Sequence, residues 1–190
     1  LETALRSSGY NVEIMKESRT AVDVGLKYVN NDACYPSLIV VGQLMSAVMS
    51  GNYDMNKTAI LISQTGGGCR ASNYIGFIRR ALEKAGYPNV PVISINLSGL
   101  ESNPGFKLTP SLIQHGLYAL EFGDIFLRCL YRTRPYEAVK GSANALHEKW
   151  KKEVISFITQ DKLLSHRKFK QMCRQIIRDF DNLDRVDVKK

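Results

Sequence analysis

Apolar and polar residues alternate along the first hundred positions in blocks that predict helices and strands in turn. Continuous apolar runs at Lys57–Ser63 and Val92–Asn96 are typical of strands buried in a parallel sheet. Between them, apolar residues at helical spacing predict a helix from Ala71 to Ala85, and earlier helices are predicted at Arg19–Val29 and at residues 37–50. Strand, helix and strand in succession form a βαβ unit, so the two strands are predicted to be parallel.

After residue 108 the pattern predicts helices only. Thr109 and Pro110 mark the start of a long helix that runs to about Thr133, and two amphipathic helices follow at residues 142–159 and 165–183. At the other end, the first seven residues are predicted to close a helix and Asn11–Met15 to form a short strand. We therefore expect a flavodoxin-like parallel α/β domain over residues 1–108, incomplete in this chain, with a helical C-terminal extension over residues 109–190.

A glycine-rich segment, QTGGGCRASNY at residues 64–74, connects the first buried strand to the next helix. Three consecutive glycines offer no side chain to pack and cost about 1 kcal/mol each inside regular structure, so they indicate a sharp bend or a close approach to a ligand. Cys69 follows them at the predicted helix start, where unpaired N–H groups and the helix dipole favour a thiolate. Cys34 directly precedes the helix of residues 37–50, and we expect the two helix starts to meet at the carboxyl edge of the sheet.

Several uses of Cys34 and Cys69 can be compared. The predicted cytoplasmic setting disfavours a disulfide, and a zinc site normally shows paired spacing such as CxxC, which these cysteines lack. A nucleophilic cysteine needs a base, and the pattern identifies none. An iron-sulfur cluster held by thiolates from separate loops fits best. The other two cysteines, Cys129 and Cys173, fall in amphipathic helices, where a thiol usually serves as a small hydrophobic group.

The same glycines permit a different interpretation. Backbone N–H groups at a helix start bind phosphate, so TGGGCRAS could hold the phosphates of a nucleotide or of coenzyme A, with Arg70 adding positive charge. The segment is neither a Walker A loop nor a GxGxxG motif, and it could also serve only to bring helix and sheet close together. The residues alone leave these alternatives open.

Composition and charge exclude several classes of protein. With 190 residues, 44% hydrophobic and 23% charged, the chain has the composition of a globular protein. Its net charge of +8 arises after residue 127, because residues 1–127 carry 10 basic and 10 acidic side chains whereas residues 128–190 carry 16 and 8. The basic residues there are interleaved with a helical apolar stripe, which favours a solvated or partner-docking face over a nucleic-acid interface. We expect no membrane-spanning segment and a cytoplasmic location.

The strings DACYPS, ISQTGGGCRASNY, VPVISIN and GLE together resemble a known family. They are similar, over roughly residues 20 to 105, to the activase-related proteins of the 2-hydroxyacyl-CoA dehydratase system, of the 2-hydroxyglutaryl-CoA dehydratase activator or component D type. The resemblance implies a long bacterial chain of anaerobic metabolism in which ATPase-type modules precede this piece. In related dehydratase subunits an ATP-hydrolysing activator drives an electron into a [4Fe-4S] or larger cluster, and a hydroxyacyl-CoA is dehydrated through a radical.

That resemblance implies roles for particular residues. Cys34 and Cys69 become iron ligands; Gly66, Gly67 and Gly68 let the backbone close over the cluster, and Gln64, Arg70 and Asn73 surround it. A third ligand and the nucleotide-binding motifs have no match in this chain, which begins without methionine and which we expect to be part of a longer protein. The implied partners are N-terminal activase-type domains of that protein and an acyl-CoA, and this piece alone is expected to be inactive and able to lose the cluster.

Overall fold

The computed structural model describes residues 1–15, 19–30, 32–63, 73–95, 106–160 and 163–186. The chain divides into two compact units, which we call the sheet unit, Ile14–Lys107, and the helical unit, formed by Leu1–Glu13 together with Leu108–Lys190. Most described residues are helical, and the described strands form one two-stranded parallel sheet. This arrangement is compatible with the predicted α/β class.

Apart from residues 11–15, the helices and strands follow the predicted order. In the sheet unit they are α2 (Ala21–Tyr28), α3 (Tyr35–Met49), β1 (Ile60–Ser63), α4 (Tyr74–Lys84) and β2 (Val92–Ile95). In the helical unit they are α1 (Glu2–Ser7), α5 (Pro110–Thr133), a single 3-10 turn (Arg134–Tyr136), α6 (Ser142–Ile158) and α7 (His166–Asp181).

The βαβ unit is confirmed. Strands β1 and β2 pair in parallel with Ile60 opposite Val92 and Ser63 opposite Ile95, and α4 lies between them along the chain. The core of this unit joins the sheet to α3 and α4 through buried aliphatic side chains, among them Val41, Met45, Ile60, Ile78 and Leu82. Strand β1 is less buried than its apolar sequence indicates, because in the described part of the chain it has one neighbouring strand only.

Helices α2 and α3 cross at two glycines. A Cβ atom at Gly42 would overlap the carbonyl oxygen of Ala21, and a Cβ atom at Gly25 would overlap the carbonyl oxygen of Leu38. The backbones therefore touch where only hydrogen atoms separate them. This contact turns Ala21, Gly25 and Val29 inward. Helical spacing predicts Val22, Leu26 and Val29 on one face; Val29 is buried, but Leu26 is 46% exposed, so its place on that inner face is wrong.

The helical unit packs aromatic side chains between α5, α6 and α7. Thr109 accepts a hydrogen bond from Leu112 N at 3.1 Å and so starts α5 as predicted. The rings of Tyr118 and Phe169 stack with centroids 4.0 Å apart, and Phe122 meets Phe169 edge to face at 5.0 Å. Trp150 donates from its indole nitrogen to the Asp179 carboxylate at 3.0 Å, which joins α6 to α7.

The N-terminal segment belongs to the helical unit. Ala4 and Leu5 of α1 are buried, and the Ser7 hydroxyl lies 3.3 Å from Nδ1 of His115 on α5. Asn11–Met15 is not a strand, contrary to the prediction. Its backbone is instead bound locally, since the Arg6 guanidinium donates to the carbonyl of Val12. The first thirteen residues are thus grouped with the helices, a grouping that the hydrophobic pattern did not indicate.

The crossing of α2 and α3 predicts an unusual sign for a glycine-to-alanine change. Alanine in place of glycine normally stabilises a helix by about 1 kcal/mol, yet Gly42→Ala is expected to destabilise the protein by about 1–3 kcal/mol because the added methyl forces the helices apart. Urea unfolding measures the difference. Gln43→Ala, next along the same helix, is the control and should change the unfolding free energy by less than about 0.5 kcal/mol. Equal or greater stability of Gly42→Ala would contradict the crossing.

Candidate functional site

Cys34 occupies the position immediately before α3. Its backbone is extended, with φ −63° and ψ 142°, and Pro36 follows in the first helical turn, so the chain turns abruptly into the helix. The carbonyl of Cys34 accepts from the Ser37 backbone N–H at 2.9 Å and from the Ser37 hydroxyl at 2.7 Å. These bonds and the full burial of Ser37 hold the backbone, while the Cys34 side chain remains partly accessible.

Tyr74, the first residue of α4, reaches the thiol of Cys34. Its hydroxyl oxygen lies 3.2 Å from Cys34 Sγ, although forty residues separate the two along the chain. Helix α4 is the next described element after β1 and crosses over to the parallel strand β2, so its start lies on the side of the sheet where β1 ends. The contact therefore brings the start of α3 to the start of α4. Helix α4 begins at Tyr74 and not at the predicted Ala71, and the predicted approach of Cys69 to Cys34 stays a prediction.

The two helix starts share an electrostatic feature. Neither α3 nor α4 has an acidic residue in its first turn, and neither N-cap side chain, Cys34 or Asn73, accepts a hydrogen bond from the helix backbone. The Asn73 side chain is exposed and lies over Gly76, where an added Cβ would come within 2.9 Å of its Oδ1. A helix start of this kind favours a negative charge, so this edge of the sheet suits an anionic group.

Among the predicted site residues, the structure describes Cys34 and Asn73. The others lie outside the described residues: Gln64, Gly66, Gly67, Gly68, Cys69 and Arg70. Their predicted roles stay predictions. The neighbours that flank this segment, Ser63 at the end of β1 and Asn73 at the start of α4, are in place on either side of it.

The remaining described cysteines are of a different kind. Cys129 on α5 and Cys173 on α7 are half-buried. Burial raises the pKa of the Cys129 thiol, and the Asp181 carboxylate adds to the effect; burial likewise raises the pKa of Cys173, with Glu121 contributing. Both thiols are therefore poorer sources of thiolate at neutral pH, in agreement with their predicted role as small hydrophobic groups.

No group of three or more His, Cys, Asp or Glu side chains within the described residues could hold a metal ion. The three histidines fall in helices of the helical unit, His115 in α5, His147 in α6 and His166 in α7, as the hydrophobic pattern predicts. Of the cysteines that the structure describes, Cys34 belongs to the sheet unit and the other two to the helical unit.

Two polar residues near this edge were not assigned a role by the sequence. Tyr74 ends the string QTGGGCRASNY. Its position directly after Asn73 was the sequence signal that could have included it among the site residues. Ser94, near the carboxyl end of β2, is 2% exposed, and its hydroxyl has no hydrogen-bond partner among the described residues. A serine within an apolar strand does not by itself predict that its hydroxyl is buried without a partner.

The basic excess of the C-terminal region lies on exposed helix faces. On α7 the outward side chains of Arg167, Lys170, Arg174 and Arg178 line one shallow groove. None of the four takes part in an ion pair within the described chain. This face can meet an anionic partner without first breaking an ion pair.

Comparison with known proteins identifies no relative. No protein-family model, no curated protein and no solved structure matches the chain. Across the described residues, no helix has the length and apolar character required to cross a membrane.

The environments of the thiols predict an order of reactivity. At pH 7.5 Cys34 should be alkylated by iodoacetamide faster than Cys129 and Cys173, because it stands at an uncompensated helix start whereas burial raises the pKa of the other two. The alkylation rates of Cys129 and Cys173 should rise steeply only as the pH approaches their raised pKa values. Peptide mass spectrometry over a time course at several pH values measures each rate. Faster alkylation of Cys129 than of Cys34 at pH 7.5 would contradict the assignment.

Proposed function

We propose that this chain is part of an iron-sulfur electron-transfer or activator protein related to 2-hydroxyacyl-CoA dehydratase and its ATP-dependent activase. The parallel βαβ unit is then one part of a flavodoxin-like sheet whose other strands belong to a longer chain. Cys34 and Cys69 bind the cluster, and the remaining activase-type domains supply ATP hydrolysis. The proposal combines the family resemblance of the sequence strings with the geometry around Cys34.

One observation carries the proposal furthest, the 3.2 Å contact between Cys34 Sγ and the Tyr74 hydroxyl. Cys69 lies five residues before Tyr74, and five residues of fully extended chain span at most about 18 Å. The Cα atom of Cys69 therefore lies within about 18 Å of the Cα atom of Tyr74, a distance that permits the approach of Cys69 to Cys34 on which the proposal rests. Two cysteines from separate loops at one sheet edge are the arrangement that thiolate-held clusters use.

The donor set sets a limit on what this chain contributes. A [4Fe-4S] cluster takes four thiolates in its usual form, and the sheet unit contains two cysteines, Cys34 and Cys69. The half-buried Cys129 and Cys173 belong to the helical unit. The chain accordingly provides part of the ligand set, and the other ligands come from another segment of the parent protein or from a partner chain.

Tyr74 has a definite role in this proposal. A thiolate has no proton, so at a deprotonated Cys34 the tyrosine hydroxyl is the donor, and hydrogen bonds to ligand sulfur raise the reduction potential of iron-sulfur centres. N–H groups of Gly66, Gly67 and Gly68 would act in the same sense. The positive helix starts of α3 and α4 favour the negative charge of thiolate ligands.

Iron content is the direct test. After anaerobic reconstitution with iron and sulfide, the chain should bind iron with the broad visible absorbance of a cluster. Cys34→Ser and Cys69→Ser should each remove most of the iron, because each deletes one of the two ligands that the sheet unit supplies. Cys129→Ser and Cys173→Ser are matched controls at half-buried thiols of the helical unit and should retain the wild-type content.

Two outcomes would contradict the proposal. The reconstitution is done with the chain alone and again with the other domains of its parent protein. A chain that remains free of iron in both cases would exclude a cluster. Loss of iron from all four serine variants alike would indicate non-specific binding by any thiol. Circular dichroism of each variant shows whether the fold is retained.

A second candidate function is a non-catalytic ligand-binding or docking module whose glycine segment holds a phosphate group such as that of coenzyme A. It is favoured by the absence of acidic residues from the first turns of α3 and α4. Calorimetric titration of the iron-free chain with coenzyme A should then give binding that Arg70→Ala weakens and Arg79→Ala, an exposed arginine of α4, leaves unchanged. Undetectable binding to the folded chain would exclude this candidate.

A further inference from the structure

Helix α5 carries a second apolar face that the helical unit leaves uncovered. Its inward face is buried against the rest of the unit through Leu112, Tyr118, Phe122 and Phe126. On another face, five large apolar side chains are between 47% and 60% exposed. They are Ile113, Leu117, Leu120, Leu127 and Tyr131. An exposed apolar line of this length is unusual for a surface helix and marks an interaction site.

The spacing of these residues is that of a helix-pairing seam. Together with Asp124 they follow one another at intervals of four, three, four, three and four residues, the alternation of the a and d positions in a heptad repeat. A seam with this period keeps facing a partner helix along its length. We call these six residues the α5 seam. Their period indicates that the partner is another helix.

The positions of the seam residues are the same when the helix is reversed, so the seam of one copy can face the seam of an antiparallel second copy residue by residue. If two α5 helices pair antiparallel about a point near Phe122, Ile113 meets Tyr131 and Leu117 meets Leu127 of the second copy. Asp124 then lies beside Leu120 and is already held by Arg128 of its own helix at 3.0 Å. Parallel pairing would instead place the two Asp124 carboxylates opposite each other, which is unfavourable.

Two glycines along one edge of the seam would let the backbones of two paired α5 helices approach closely. Gly116 and Gly123 stand seven residues apart inside α5, and an added Cβ at either would meet nothing within 4 Å. Glycine inside a helix costs about 1 kcal/mol relative to alanine, and no contact within the described chain accounts for it here. Small residues beside a helix-pairing seam let two backbones come close together.

We propose that the α5 seam joins two copies of this chain as a homodimer through antiparallel α5 helices. The seam is isologous, so each copy presents the same residues to the other. Gly123 lies near the two-fold axis, where the backbones approach most closely. This dimer is independent of the cluster proposed for the sheet unit, and it would place two sheet units in one assembly.

Sedimentation velocity of the full chain over a concentration series is the first test. The wild type should show a reversible monomer–dimer equilibrium. Leu117→Glu places a charge in the seam twice per dimer. It should raise the dissociation constant of the dimer by at least about tenfold. Ile155→Glu is the matched control, because Ile155 is a 40% exposed aliphatic residue of α6 outside the seam, and it should dimerise as the wild type does.

A complementary variant strengthens the same test. Asp124→Leu completes the apolar line and should tighten the dimer. A chain that is monomeric at every concentration would overturn the proposal, as would a dimer that Leu117→Glu leaves intact. Urea unfolding and circular dichroism of each variant separate loss of dimer from loss of fold.

The orientation is tested by disulfide trapping. Leu117→Cys and Leu127→Cys chains, mixed and oxidised, should form a 117–127 bridge that mass spectrometry identifies, while neither chain alone should form a 117–117 or 127–127 bridge. The wild type oxidised in parallel gives the background from its native cysteines. Bridges between identical positions would show parallel pairing and overturn the proposed geometry.

Discussion

The parallel pairing of β1 with β2 is the constraint on which the candidate site depends. Strands that run in the same direction cannot be joined by a tight turn, so the chain between them must cross over, and here it does so through α4. The crossover places the start of α4 beyond the carboxyl end of β1. Helix α3 shares a buried core with α4 and the two strands, and its start meets the start of α4. The contact between Cys34 and Tyr74 lies where these two helix starts meet.

The sequence predicts most of this framework because its signals are local. Apolar runs identify both strands, Pro36 and Thr109 mark helix starts, and the helical spacing of α3 places Leu38, Val41 and Met45 in the core, where they are buried. What it does not predict depends on distant contacts. The inner face of α2 is set by Gly25 and Gly42, whose role is visible only when the two helices are brought together. The grouping of α1 with α5 likewise depends on Leu5, whose burial no local pattern indicates.

The site shows the same division. Cys34 at a helix start is apparent from the order of residues alone, and the structure brings it to the start of the following helix. The contact of Cys34 with Tyr74 depends on the packing of α3 against α4. The two residues are forty positions apart along the chain, so no local pattern predicts it. The α5 seam is readable from its heptad spacing, but its exposure is a property of the folded unit, since the same residues would serve equally well inside a core.

The central claim is that Cys34 and Cys69 meet at one edge of the sheet. A short bifunctional thiol reagent, applied to the Cys129→Ser/Cys173→Ser double variant and analysed by peptide mass spectrometry, measures this directly. The account predicts a single bridged species that joins the Cys34 and Cys69 peptides within one chain. Complete single alkylation of both thiols without a bridge, in a protein that retains its fold, would contradict it.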